Sequence, residues 1–157
     1  MLPNNPLNDR KKQRWYDSGK KKRHTQKAQV IVNRQTRTII ATDFANGKTH
    51  DFQLFKDSRS VMSKQIRSLA DTGYQGLAGF HANSQTPAKK SKHHPLTVEQ
   101  KASNRILSHD RILVEHVIRS LKIFRILSER YRNRRKRFAL RFNLIAAIYN
   151  TELEKTK

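Results

Sequence analysis

The sequence predicts a small α/β domain, and three observations carry that expectation. Between Ala28 and Phe44, two runs of alternating and β-branched residues flank a polar turn. A shorter apolar run, Ile66 to Ala70, stops at Asp71. From about Val98 to the end, apolar residues recur mostly at helical spacing.

Taken in order, residues 1–25 are polar and basic, carry two prolines and one glycine, and read as a loop or arm. Residues 26–157 read as the domain. Ala28, Val30 and Val32 alternate with Gln29 and Ile31 as a first strand. Asn33-Arg34-Gln35-Thr36 is a turn, and Thr38 to Phe44 completes an antiparallel hairpin that Asn46-Gly47 ends. Asp51 to Ser58 places Phe52 and Phe55 at helical spacing. Ile66 to Ala70 is a short strand, and Gly73-Tyr74-Gln75-Gly76 a turn or helix start. Residues 83–97 form a basic loop holding Pro87 and Pro95. A helix follows around residues 105–122, and a last helix aligns Phe138, Phe142, Ile145 and Tyr149 as one core stripe. No internal repeat is visible.

The size and composition bound the function. A chain of 157 residues allows one ordinary domain. Leu, Ile, Val and Phe make up 37 of them, about 24%, just above the roughly 20% below which highly charged chains stay disordered. The core is therefore thin. The absence of cysteine excludes disulfides, thiolate zinc sites and a thiol nucleophile. The longest strongly apolar run, Leu144 to Tyr149, is too short to span a bilayer, and the first six residues form no apolar signal core. A soluble chain without an export signal is expected.

The charge is the strongest compositional signal. Thirty-four Lys and Arg against twelve Asp and Glu give a formal net charge of +22, which calls for a polyanionic partner. Lys11, Lys12, Arg14 and Lys20-Lys21-Lys22-Arg23 flank Trp15 and Tyr16; Lys89, Lys90 and Lys92 adjoin His93 and His94; Arg130 to Arg141 holds seven basic residues around Tyr131 and Phe138. Basic groups neutralise phosphates and aromatics stack on bases, so nucleic acid fits better than a membrane surface, for which no exposed apolar face is paired with the charge.

The helix around 105–122 carries the sharpest pattern. With Arg111 at zero and about 100° per residue, Glu115, Arg119 and Lys122 fall at about 40°, 80° and 20°. Leu113, Val117, Leu121 and Val114 fall at about 200°, 240°, 280° and 300°, on the opposite face. One acid thus stands among three bases. Spacing alone allows an ion-pair ladder Arg111–Glu115–Arg119, at about 0.3–0.5 kcal/mol per pair. Asp71 reads as a turn or helix cap, and His50-Asp51 as a helix N-terminus. His93-His94 reads as a solvated loop and not a metal site. Up to this point the residues support a basic nucleic-acid-binding domain.

Read together, several of these segments resemble a family. Asp71-Thr72-Gly73-Tyr74-Gln75-Gly76, followed by Arg111-x3-Glu115-x6-Lys122, resembles the C-terminal part of a DDE-type bacterial insertion-sequence transposase. Asn133-Arg134-Arg135-Lys136-Arg137-Phe138, Leu140 to Ile145, Tyr149-Asn150, Ser18 to Thr25 and Gly47-Lys48-Thr49-His50-Asp51 are similar to the same group, in the expected order along nearly the whole chain. The resemblance implies an RNase H-like fold, a mixed sheet with helices. It implies Mg²⁺ (or Mn²⁺) held by acids for DNA cleavage and strand transfer, with Asp71 as the second acid and Glu115 as the third. Carboxylates suit that role because hard divalent cations prefer oxygen ligands. DNA contacts are expected at Lys20, Lys21, Lys22, Arg23, Arg111, Arg119, Lys122, Arg134, Arg135, Lys136 and Arg137.

Two departures from the family pattern shape the expectation. Ser108 stands where the signature around the third acid starts with tyrosine. The counterpart of the first catalytic aspartate falls at or before Met1, and Asp9 lies too far downstream to replace it. The chain therefore reads as a truncated transposase in the bacterial cytoplasm, lacking the first strand of its sheet and inactive alone. Its partners would be DNA, an upstream-encoded N-terminal portion, and further copies of itself through open strand edges. A noncatalytic basic DNA- or RNA-binding protein is the alternative.

Overall fold

The structure, a computed structural model, describes residues 17–18, 23–92, 94–129 and 137–156. Two-residue strands β1 (Asp17–Ser18) and β2 (Arg23–His24) pair antiparallel, within the segment expected as a basic arm. Then come β3 (Gln26–Val32), β4 (Ile39–Asn46), α1 (Asp51–Asp57) and β5 (Ser68–Leu69). Two single 3₁₀ turns (Thr72–Tyr74 and Leu77–Gly79) lead to β6 (Ser84–Gln85), α2 (Val98–Leu121), α3 (Arg125–Ser128) and α4 (Phe138–Lys155).

The β3–β4 hairpin organises the molecule because its two faces differ. Ala28, Val30, Val32 and Phe44 turn one way, against a core of Ile39, Val117, Leu121, Phe138, Phe142, Ile145 and Ala146. Strand alternation would place Ile40, not Ile39, beside Thr42 and Phe44 on that face. The register slips between Ile31 and Val32, so Ile40 is bulged out and exposed while Ile39 is buried. Phe44 meets Phe138 and Phe142 edge-on, at centroid distances of 5.7 and 5.3 Å. The hairpin turn is an Asx turn: Asn33 Oδ1 accepts from the backbone of Gln35 and Thr36, and Arg37 takes a left-handed φ of 62°.

Polar contacts fix α4 on β4. Asn150 reads both backbone groups of Ile39: Oδ1 accepts from its N–H and Nδ2 donates to its carbonyl, each at 2.9 Å. Two turns earlier, Asn143 Oδ1 accepts from Thr42 Oγ1 at 2.6 Å. Asn150 thereby satisfies backbone groups of a strand edge that no other strand covers among the described residues, while Asn143 bonds only a side-chain hydroxyl. Phe138, Phe142 and Ile145 are buried as their spacing predicts, and Tyr149 is half-buried with its hydroxyl donating to the Arg37 carbonyl at 3.4 Å.

Helix α2 begins at Val98, a full two turns before the apolar stripe. A capping box starts it: Thr97 Oγ1 accepts from the Gln100 N–H, and the Gln100 side chain accepts from the Thr97 N–H. Leu107, Val117 and Leu121 are its buried residues. The α/β class holds. The described strands, however, form three two-stranded ladders, antiparallel β1–β2, antiparallel β3–β4 and parallel β5–β6, where one mixed sheet was expected. The Ile66–Ala70 strand is only Ser68–Leu69, because each of its residues has a ladder partner on β6 alone.

Candidate active site

Asp71 stands just past the end of β5 and performs the capping role its sequence context allows. Its extended backbone (φ −79°, ψ 168°) turns the chain, and Oδ1 accepts from the Thr72 N–H at 2.6 Å and from Thr72 Oγ1 at 3.2 Å. Two glycines let this turn lie close to α1. A Cβ on Gly73 would run into the Asp51 carboxylate, and one on Gly76 would stand 3.0 Å from the Phe52 ring while requiring a φ of +96°.

The hairpin face opposite the core receives the turn. Tyr74 donates its hydroxyl to Oε1 of the buried Gln29 at 3.3 Å, and its ring meets Phe55 edge-on. Asp51 pairs with Lys27 at 2.9 Å, and Lys27 also donates to the Thr49 carbonyl at 2.5 Å. Burial first, then the negative charges of Asp51 and Asp71, push the Tyr74 phenol up to about 12. Both carboxylates therefore lie within electrostatic reach of one hydroxyl.

Helix α2 is tied to the same place. Arg111 Nη1 lies 3.2 Å from Asp71 Oδ1, bringing two parts of the expected signature together across forty residues of sequence. Flanking contacts hold the helix in register: Asn104 exchanges two hydrogen bonds with the Ala88 backbone, and Arg34 grips both oxygens of Asp110 at 2.7 and 3.3 Å. The ladder that spacing allowed does not form among the described residues, because Arg111 turns to Asp71 instead. Glu115, one turn beyond Arg111, is exposed and forms no ion pair among them, and Arg119 and Lys122 are exposed as well.

Other expected contacts fall elsewhere. Lys20, Lys21, Lys22, Arg134, Arg135 and Lys136 lie outside the described residues. Arg23 belongs to β2, and Arg137 caps α4 and is exposed. His94 is exposed in its loop, and His93 lies outside the described residues. Asp51 starts α1, as its sequence context predicts, and its close approach to Gly73 has no counterpart in that prediction.

The donor chemistry suits a hard divalent cation in part. Asp71 and Glu115 are carboxylates on adjoining elements, both exposed. Among the described residues no three acids or histidines gather into one candidate cluster, and the Asp71 contacts with Arg111 and Thr72 fall on Oδ1.

Comparison with known proteins matches these residues to a family. The chain fits the model described as DDE superfamily endonuclease over residues 3–150. It is 50% identical over 144 residues to a protein of Microchaete diplosiphon named a probable transposase for insertion sequence element IS702. That alignment covers 92% of this chain and 52% of the relative, so the chain spans about half the relative's length. No solved structure matches the chain. With the family model covering nearly every residue, including the Asp71 turn and the Arg111–Glu115 helix face, the chain belongs to the DDE superfamily endonucleases.

Proposed function

We propose that this chain is the C-terminal part of a transposase catalytic domain with an RNase H-like fold, acting on DNA in transposition of an insertion sequence. Asp71 and Glu115 are two of its metal-binding carboxylates. The observation that carries this reading is the Arg111–Asp71 ion pair, which docks the Glu115-bearing helix against the Asp71 turn. Endonucleases of this superfamily generally use divalent metals; bound by these acids, Mg²⁺ or Mn²⁺ would activate the attacking oxygen and stabilise the leaving one. The chain's own residues do the rest. Thr72 and Arg111 fix the Asp71 carboxylate, while Arg119 and Lys122 on the Glu115 face supply positive charge for phosphates. On this reading Asp71 and Glu115 are two of three acids, and two acids alone do not support strand cleavage.

Manganese binding tests this directly. In an electron paramagnetic resonance titration, Asp71→Asn or Glu115→Gln should weaken Mn²⁺ affinity by at least about tenfold, a loss that even an outer-shell change typically causes. DNA affinity should stay nearly unchanged, because neither acid contacts phosphate. Affinities for Mn²⁺ equal to the parent's would refute the assignment. The second reading, a noncatalytic basic DNA- or RNA-binding protein, is favoured by one observation: the Arg111 guanidinium already neutralises Asp71. It predicts no Mn²⁺ binding at all.

A further inference from the structure

Helix α4 is apolar on two sides, although only one of them faces the core. Phe138, Phe142, Ile145 and Ala146 are buried against the hairpin and α2. On the opposite side Leu140, Leu144 and Ile148 follow one another every four residues, at 69%, 62% and 37% exposure. At about 100° and 1.5 Å per residue they span about 80° of arc and form one stripe about 12 Å long. Ala147 is exposed at its edge, and the Thr151 hydroxyl donates to the Ala147 carbonyl at 3.0 Å, so that hydroxyl does not interrupt the apolar surface. A helix with apolar residues on all sides is normally covered on all sides.

Two features select a second copy of this chain as the occupant. The first is symmetry: Leu140 lies four residues before Leu144 and Ile148 four residues after it. With two copies antiparallel and Leu144 on the two-fold axis, Leu140 of each meets Ile148 of the other, the self-match that an isologous interface requires. The second is charge. Arg137 opens α4 and is exposed, while Glu152 and Glu154 are exposed in its last turns and outweigh Lys155. Neither Arg137 nor Glu152 forms an ion pair among the described residues. In the same register Arg137, seven residues before Leu144, lies beside the partner's Thr151 and Glu152, seven and eight residues after it. Opposite charges therefore meet at both ends of the pair, and the antiparallel helix dipoles add to the match. Arg141, half-buried on one flank, has a partner within its own chain and contributes nothing to this pairing.

We propose that the outer face of α4 is a homodimer surface, in which two copies pair antiparallel through Leu140, Leu144 and Ile148, with Arg137 of each beside Glu152 of the other. This surface is separate from the open strand edges and from the Asp71 turn, which packs on the other face of the hairpin. One helix pair buries less than about 1,200 Å², the range of weak association, so monomer and dimer exchange at micromolar concentrations. The +22 charge of each copy opposes pairing, but its reach is cut to a Debye length of about 8 Å at about 0.15 M salt.

Sedimentation equilibrium of the full chain, freed of nucleic acid and held at about 0.15 M salt, reads the association from about 5 to about 500 µM. The parent should pass from monomer to dimer over that range. Leu144→Glu should weaken the dimer at least about tenfold while leaving the circular dichroism spectrum unchanged, because the residue is exposed in the monomer. Arg137→Glu and Glu152→Arg should each weaken it, and the two together should restore it. A parent that stays monomeric throughout would overturn the proposal. So would a dimer indifferent to Leu144→Glu, which would point to the strand edges, and a double variant that recovers nothing would overturn the register. Because the chain has no cysteine, cross-linking gives a second readout without any change of charge. Under mild oxidation Leu144→Cys should link to its own copy at least about tenfold faster than Leu140→Cys or Ile148→Cys, whose copies lie about 12 Å apart along the axis. A mixture of those last two variants should link readily. Equal self-linking by all three would overturn the antiparallel pairing.

Discussion

Replacing Asn150 by leucine removes the double hydrogen bond that pins α4 to the backbone of Ile39. The two bonds contribute about 1 kcal/mol each in net terms. Their loss also leaves an N–H and a carbonyl of a residue only 8% exposed without partners. A stranded buried group costs about 1–3 kcal/mol, but Asn150 is half-buried and water can reach part of the gap. The expected loss is therefore about 2–3 kcal/mol, a large share of the roughly 5–15 kcal/mol that typical domains possess. Asn143→Ala provides the internal comparison, since its single bond to Thr42 is exposed and should contribute no more than about 1 kcal/mol. Urea unfolding followed by circular dichroism reads both. A loss below about 0.5 kcal/mol for Asn150→Leu, or equal losses for the two variants, would show that this pair of bonds does not hold the hairpin.

Gly73→Ala should destabilise the domain by about 1–3 kcal/mol, because its Cβ displaces the Asp51 carboxylate and with it the Lys27 pair; an unchanged thermal midpoint would contradict this. Stability should fall as pH rises from the ordinary tyrosine value toward about 12, the native phenol of Tyr74 keeping its proton where the unfolded chain has lost it. Tyr74→Phe should flatten that alkaline decline, and a tyrosinate absorbance titration in which every tyrosine ionises near its ordinary value would contradict the burial argument. Purified chain should not nick supercoiled plasmid with Mg²⁺ or Mn²⁺; nicking that disappears in Asp71→Ala would show that two acids suffice.

The hairpin, its turn and the core stripe of α4 were legible because strand and helix periods write themselves into single segments. Ala28, Val30 and Val32 needed only their alternation. The bulge was not legible: Ile39 and Ile40 are chemically identical, and only the packing of the first against α4 decides which is buried. Residues 98–104 are mostly polar and show no stripe, so the sharpest periodicity begins only near residue 105, while Thr97 and Gln100 form the capping box that starts the helix at Val98. The Asp71 turn was marked by its glycines and its family wording. Its connection to Arg111 was hidden, because local spacing offered Arg111 a nearer acid in Glu115. Tertiary geometry, not propensity, chose between the two.

Iron-directed cleavage tests most directly whether Asp71 and Glu115 hold one metal. Fe²⁺ substituting for Mg²⁺ generates hydroxyl radicals that cut the backbone beside its ligands, and peptide mapping locates the cuts. A shared site predicts two clusters of cuts, one around Asp71 and one around Glu115, both lost together in Asp71→Asn and in Glu115→Gln. Cuts at only one of the two positions, or cuts at both that respond independently to the two substitutions, would contradict it.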